Sequence, residues 1–374
     1  FIYYSLLILK SIMKIETISD LNKLLDNLKN NKELDFINIP GLSKFKSKIF
    51  TISQYVDKNI PHNLQGNDLI LYHNLNELSI KERKSLNDSM LTSYFTPESI
   101  TNNIVSSLGS YFNKKLDELS ILEPSAGTGN FIHSILANTN LNSKKLSVDA
   151  IEKDILTSKL LQNNFNNHSL VNIHNVAFEN FSSEKTYDLI IGNIPFGNYN
   201  IYDKTLHPSH NHLYSNRIHN YFFTKSIQLL KPGGILALIT TSSMNDLSAN
   251  EQLRKHIIEE TSLISLVRLP NSTFKNSGTS VVTDLVILQK SMNLNKKITS
   301  LENLYTQTAS YQNTYPINPL LLSHPEFILG EFKETTGIAG RPILTVSTNQ
   351  LNDNLSLLST SLKTVLDKTI TKYG

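Results

Sequence analysis

The chain has 374 residues, 39% of them hydrophobic, enough for one large domain with extensions or for two domains. Its 35 basic and 32 acidic residues leave a formal charge of +3, which neither demands nor bars a nucleic-acid partner, because a basic face can sit on a near-neutral protein. With no cysteine, a disulfide framework, a thiolate zinc site and a cysteine nucleophile are all excluded, and a reducing, cytoplasmic setting fits.

The run from Phe1 to Ile12 is apolar apart from Lys10. It falls short of the roughly 20 residues a spanning helix needs. No small-residue cleavage site follows it, so neither a membrane span nor a secretory signal is expected. Residues 1–12 read as upstream translation with Met13 the start; an amphipathic first helix is the other reading. Residues 13–89 read as a mainly helical extension. Its first helix, Lys14 to Asn30, has Ile15, Ile18, Leu21, Leu24, Leu25 and Leu28 at helical spacing, with Ser19 or Asp20 as cap. Lys44, Lys46 and Lys48 alternate with Phe45, Ser47 and Ile49, which at strand period gives one basic face. A solvated edge strand is the ordinary reading of such a face and a DNA-facing ribbon the other. At Thr96-Pro97 a helix begins, with Thr96 as N-cap and Pro97 in the first turn. The free N–H groups and positive dipole end of such a start suit a carboxylate.

From there strands and helices alternate. Strands are expected at 119–123, 146–151, 171–175, 187–192, 234–241, 262–269 and 281–289, and helices at 129–138, 154–165, 217–230 and 249–260. Alternation predicts an α/β domain over residues 90–291 with a doubly wound, seven-stranded, mostly parallel sheet. Pro232-Gly233-Gly234 is expected to cap one helix and turn into the next strand. Only Pro270 to Thr279 separates the last two strands, so an antiparallel edge pair is expected. Residues 292–374 read as a tail ending in a helix around Leu355 to Ile370.

Two strand ends carry the candidate site. The first strand ends at Glu123 and runs into Ser125-Ala126-Gly127-Thr128-Gly129, small residues where a backbone must approach a ligand closely. The third position of a nicotinamide fingerprint is filled by Ile132, and a carboxylate at Glu123 suits a cationic ligand group better than a pyrophosphate. The next strand ends in Asp149-Ala-Ile-Glu152, where an acid accepts bonds from ribose hydroxyls. A nucleoside with an amine and no diphosphate describes S-adenosylmethionine. Downstream, Tyr187 to Gly192 leads into Asn193-Ile194-Pro195-Phe196. The Asn193 side-chain oxygen and the Ile194 carbonyl form an acceptor pair for the two hydrogens of an exocyclic amine, localising its lone pair for attack on a methyl group. Phe196 offers a stacking face worth about 1–3 kcal/mol for a base.

Tyr94-Phe95-Thr96-Pro97, Glu123 to Gly129 and Asn193 to Phe196, in that order, resemble the N6-adenine DNA methyltransferase family with the gamma motif order. Further segments resemble the methylase module of phage and conjugative-element DNA methylase–helicase proteins. These are Gly192 to Tyr199, Ile218 to Phe223, Lys231 to Gly234, Arg268 to Asn271 and Gly278 to Asp284. The resemblance implies a class I S-adenosylmethionine-dependent methyltransferase fold over 90–291, acting on DNA, with a separate specificity or helicase segment as a further partner. It implies that Thr96 and the helix start at Pro97 hold the methionine carboxylate. Glu123, Ser125 and the backbone from Ala126 to Gly129 would hold the amine and sulfonium end, Glu152 the ribose, and Phe178 with Glu179 the cofactor adenine. Asn193, Ile194, Pro195 and Phe196 would grip a flipped adenine.

Three departures stand out. Ile194 replaces the family's usual first proline, Ala177 stands where an acid usually precedes Phe178, and about 80 residues after the last core strand are few for a target-recognition domain. They favour one alternative, a non-catalytic DNA-binding subunit; an RNA or protein-glutamine methyltransferase with the same grip is the other. Blander readings are a mere packing turn at Gly127 and Gly129 and a core role for Phe196. Lys275 with Ser277-Gly278-Thr279 reads equally as a phosphate contact or an ordinary hairpin. His207, His210, His212 and His219 are too irregularly spaced for a metal site, and none is expected.

Overall fold

The strands are near-continuous runs of branched apolar residues, the pattern of a sheet covered on both faces. The structure, a computed structural model, describes residues 15–30, 42–59, 61, 63–88, 96–112, 118–142, 145–214, 217–277, 282–292, 296–336 and 342–348. Among them, β1 (Glu118–Glu123), β2 (Lys145–Ile151), β3 (Val171–His174), β4 (Tyr187–Asn193), β5 (Leu230–Thr241), β6 (Thr261–Leu269) and β7 (Thr283–Lys290) form one sheet in the order β3-β2-β1-β4-β5-β7-β6. Strands β1 to β5 are parallel, and β7 runs antiparallel to both β5 and β6. This is the class I methyltransferase architecture expected from the sequence, with its antiparallel edge. What the sequence did not order is the insertion of β7 between β5 and β6.

Alternate strand residues feed two cores. Ile121, Val148, Leu189, Ile191, Ala237 and Ile287 face the helices Glu98–Phe112 and Asn130–Ala137. Leu122, Ile190, Leu236, Leu238 and Val286 face the opposite layer, which includes Ile218–Leu229 and Glu251–Glu260. In chain order the helices are α1 (Ile18–Lys29), α2 (Lys46–Lys58), α3 (Gly66–Glu77), α4 (Ile80–Asp88), α5 (Glu98–Phe112), α6 (Asn130–Ala137), α7 (Ile155–Phe165), α8 (Ile218–Leu229) and α9 (Glu251–Glu260), then α10 (Ser300–Thr306) and α11 (Pro319–Ser323). Short helical turns at Thr139–Asn142, Asn211–Tyr214 and Ser242–Asp246 complete them.

A third cluster holds α1 to α4 together and reaches Leu156 and Leu160 of α7. Ser85 of α4 donates to Asp154, the N-cap of α7, at 2.6 Å. After β7, Tyr305, Ile317, Leu320 and Leu321 join the second core. Buried Arg254 ties that region to α9 by donating to the carbonyls of Tyr305 and Gln307, each at 3.0 Å.

Several local expectations are corrected. The cap of α1 is Thr17, in a capping box with Asp20, rather than Ser19 or Asp20. Lys44, Lys46 and Lys48 share no strand face. Leu42–Phe45 is a 3₁₀ turn and α2 follows, because Ile49, Ile52 and Val56 bury at helical spacing while Lys48 pairs with Asp68. Helix α8 ends at Leu229, before the glycines. Leu230 pairs with Tyr187 and Ile235 with Leu189, so Lys231 to Gly234 form a bulge inside β5, with Gly233 at φ +79°. Helix α5 starts at Glu98, and the Pro97 carbonyl accepts the Thr101 N–H at 3.1 Å, so Pro97 takes the cap position expected of Thr96. The tail helix at 355–370 and the residues Tyr94, Phe95, Gly278 and Thr279 lie outside the described residues, as do the side chains of Lys275 and Ser277.

Candidate active site

The strand order reverses at β1, whose neighbours are β2 and β4. A doubly wound sheet opens its ligand crevice at such a switch point, beyond the carboxyl ends of the strands. Glu123 ends β1 and Asn193 ends β4, so the two motifs meet there. A hydrogen bond joins their turns, and another ties the first turn to the end of β2. The Ser125 hydroxyl donates to the Asn193 carbonyl at 2.7 Å, and the Ala126 N–H donates to Ile151 O at 2.8 Å. At Gly192 a Cβ would sit in ordinary contact, 3.5 Å from Pro124 Cδ and 3.6 Å from Glu123 Cγ, so packing does not demand glycine there.

Gly129 has a separate reason. It caps α6 at φ +95°, and a Cβ would meet Phe165 Cε2 at 2.3 Å and Leu161 Cδ1 at 2.8 Å. The packing-turn reading therefore holds for this glycine. Gly129→Ala is expected to destabilise the protein by about 1–3 kcal/mol through overpacking and backbone strain. Chemical denaturation measures it; a variant as stable as the parent would contradict the close approach of α6 and α7.

A cavity of about 40 Å³ lies in the crevice, lined by Thr96, Glu123, Ser125, Ala126, Gly127, Thr128, Asn130, Phe131 and Asn193. Six of these are residues expected from the sequence; Thr128 is expected only through its backbone, and Asn130 and Phe131 are additions. Asn130, the first residue of α6, donates to the Thr96 carbonyl at 2.7 Å and so carries the Thr96 segment to the crevice. The buried Glu123 Oε2, Thr128 Oγ1 and Asn130 Oδ1 have no hydrogen-bond partner among the described residues. Three oxygens left so in one small cavity match a ligand with several N–H donors.

Burial, then the neighbouring Glu152, pushes the Glu123 carboxyl well above its ordinary range. Glu152 follows β2 and accepts the Gly127 N–H at 2.9 Å and the Asp154 N–H at 2.7 Å. Desolvation outweighs those bonds and raises it to about 7. Asp149, the other acid of that strand end, is occupied inside the fold, accepting from Tyr187 and His174 at 3.0 Å each and pairing with Lys185.

Beyond Asn193, Ile194 is buried, and its N–H donates to Ile239 O at 3.1 Å, a bond a proline could not make. Pro195 and Phe196 are half-buried, and Phe196 stands outside the hydrophobic clusters, which removes its core reading. Phe178 is not brought into the cavity. It is 2% exposed and packs on Phe222 at 4.9 Å between ring centroids. Glu179 beside it is half-buried. Sequence reading missed Lys225 and Asp203, which form a buried ion pair at 2.7 Å behind this region. Two such charges with no motif around them give no signal in one chain.

His207 and His212 are exposed, while His219 is buried and desolvation lowers it to about 4. Among the described residues no three His, Asp or Glu side chains come together as a metal site, and no helix is long and apolar enough to cross a membrane. A second cavity, about 880 Å³, lies at the other end of the strands, by Gly233, Ser262 and Lys290, away from both motifs.

The chain is 27% identical over 203 residues to Defense against restriction protein B of Escherichia phage P1, covering 54% of this chain and spanning only 8% of that relative's length. Among solved structures it is similar to the type I restriction-modification methyltransferase subunit of Streptococcus thermophilus, at 13% identity and TM-score 0.46, covering 92% of this chain and 79% of that one. It is also similar to the type I restriction enzyme EcoKI M protein, at 14% identity and TM-score 0.43, covering 93% and 94%. The N-6 DNA Methylase family model matches residues 77–339, more than half of the chain and all of the site above, and the chain belongs to that family.

Proposed function

We propose that the protein transfers a methyl group from S-adenosylmethionine to the exocyclic N6 amine of adenine in DNA, with the base flipped out of the helix. The observation that carries this is the cavity between Glu123 and Asn193, with three buried oxygens that have no partner among the described residues. Glu123, Thr128 and Asn130 suit the methionine amine, the start of α5 its carboxylate, and Glu152 the ribose. The turn carrying Phe178 and Glu179 is assigned to the cofactor adenine by resemblance. It is tied to Glu152 by Asn175 Nδ2, which donates to Glu152 O at 2.8 Å.

When bound, S-adenosylmethionine supplies an electrophilic methyl on a sulfonium and departs as a neutral thioether. The chain's own part is to place and polarise the amine. Asn193 Oδ1 and the Ile194 carbonyl accept its two hydrogens, localise the nitrogen lone pair and stabilise the positive charge that develops as the N–C bond forms. The extra proton leaves the methylated nitrogen for water, so no strong base is needed. Phe196 stacks on the ring, and holding amine and methyl in line supplies the rest of the rate. A separate specificity or helicase segment is the further partner in this reading, which places the reaction in the cytoplasm.

The test is methyl transfer from labelled S-adenosylmethionine to unmethylated DNA, with RNA and protein extracts as parallel acceptors and nucleoside analysis of the product. N6-methyladenine in DNA is the expected result. Label in RNA or protein would replace the substrate, and no cofactor binding at all would sink the enzymatic reading.

A further inference from the structure

Helix α8 carries a lysine that reaches both sides of the crevice from behind. Lys225 is 2% exposed, and its ammonium donates to Phe178 O at 2.6 Å, Phe181 O at 2.7 Å and Asp203 Oδ2 at 2.7 Å. These acceptors match the three N–H donors an ammonium has. Two of them belong to the turn after β3, the turn that holds Glu179 and is fastened to Glu152 by Asn175.

The third acceptor belongs to the segment that leaves Phe196. Asp203 braces that segment, accepting the Thr205 N–H at 2.7 Å, the Thr205 hydroxyl at 2.6 Å and the Tyr221 hydroxyl at 2.6 Å. The same helix holds the segment at two more points. The Ile218 N–H donates to Gly197 O at 3.2 Å, and Gln228 Nε2 donates to Thr205 O at 3.2 Å. A packed core does not need this charge: Phe178, Tyr221 and Phe222 already fill the space around it, and replacing a buried ion pair with apolar groups is often neutral or stabilising. What the ion pair adds is a fixed relation between two turns that are far apart in sequence.

We infer that Lys225 is a positioning residue that sets the cofactor-side turn and the base-side segment relative to each other, so that methyl and amine meet in line. The inference rests on the function proposed above. Misplacing reacting groups by about 1 Å costs on the order of 10²-fold in rate.

Lys225→Met alone strands the Asp203 carboxylate in the core, so the decisive variant is Lys225→Met with Asp203→Asn, which removes both charges at similar volume. Four quantities are measured: S-adenosylmethionine affinity by calorimetry, kcat and KM on DNA, and the thermal midpoint. The expected result is a folded protein with kcat down on the order of 10²-fold, weaker cofactor binding and a raised KM for DNA. A double variant that keeps all three values while only its melting temperature moves shows an ordinary structural pair and overturns the inference, as does a shift confined to one substrate. Parent protein that neither binds S-adenosylmethionine nor transfers methyl sinks the proposed function and this role with it. An active parent with an unchanged variant sinks the role alone.

Discussion

Asn193→Ala is expected to lower methyl transfer by on the order of 10²–10³-fold, the usual cost of removing one group aimed at charge that develops in the transition state. The substitution is unusually clean here. The Asn193 backbone stays in place, because the Ser125 hydroxyl holds its carbonyl at 2.7 Å and the residue ends a strand paired with Ile239 of β5. The side-chain amide is lost, and its acceptor oxygen with it. The cofactor contacts assigned to Glu123, Thr128 and Asn130 are untouched, so S-adenosylmethionine binding should stay near that of the parent. Single-turnover kinetics with saturating DNA separate the two effects. A variant that binds cofactor normally and still methylates at the parent rate would remove the amine grip from Asn193.

The parts of this site legible in the sequence are those held by local chemistry. Glu123, Gly127, Gly129 and Asn193 sit at strand ends and turns, where residue type follows from backbone geometry and close approach. The parallel strands were legible because their runs are buried on both faces. The lysines at 44, 46 and 48 misled because strand period was read over a few residues, while the helical burial of Ile49, Ile52 and Val56 decides the element. The glycines at 233 and 234 were read as a cap because they follow a helix; strand pairing with Tyr187 and Leu189 makes them a bulge. The antiparallel edge pair is legible as a strand pairing, but the side-chain pairs it creates are not. Arg268 and Asp284 lie in two separate segments noted for their family resemblance, and only the antiparallel register of β6 and β7 brings them together at 2.8 Å. The same holds for Lys225 with Asp203. Ile194 is the instructive departure: the position lacks proline, and the free N–H it gains extends the β4–β5 ladder by one bond to Ile239, which fixes the turn by another route.

Glu123→Gln is expected to separate stability from function. In the ligand-free chain, burial and the nearby Glu152 hold the Glu123 carboxyl well above its ordinary value of 4.5. A carboxyl raised in the folded state binds more protons there than in the unfolded chain, so the free protein loses stability as pH climbs from 4.5 through the raised value. Glu152 adds a loss of the same sign between 4.5 and about 7. Glutamine at 123 has no proton to lose, so the variant should melt above the parent at pH 8 and approach it in acid. Cofactor binding should move the opposite way. A bound ammonium favours the ionised carboxylate, so the parent should bind S-adenosylmethionine more tightly as pH rises and release a proton on binding. Losing a charged hydrogen bond of about 1.5–3 kcal/mol should weaken the variant's affinity by about 10–100-fold and flatten that pH dependence. Calorimetry in two buffers of different ionisation enthalpy counts the proton, and thermal melts at pH 6 and pH 8 give the stability side. A variant that binds cofactor as the parent does, with the same proton release, would place the amine elsewhere. One that binds weakly but gains no stability at pH 8 would show that the buried carboxylate is not held at a cost in the free chain.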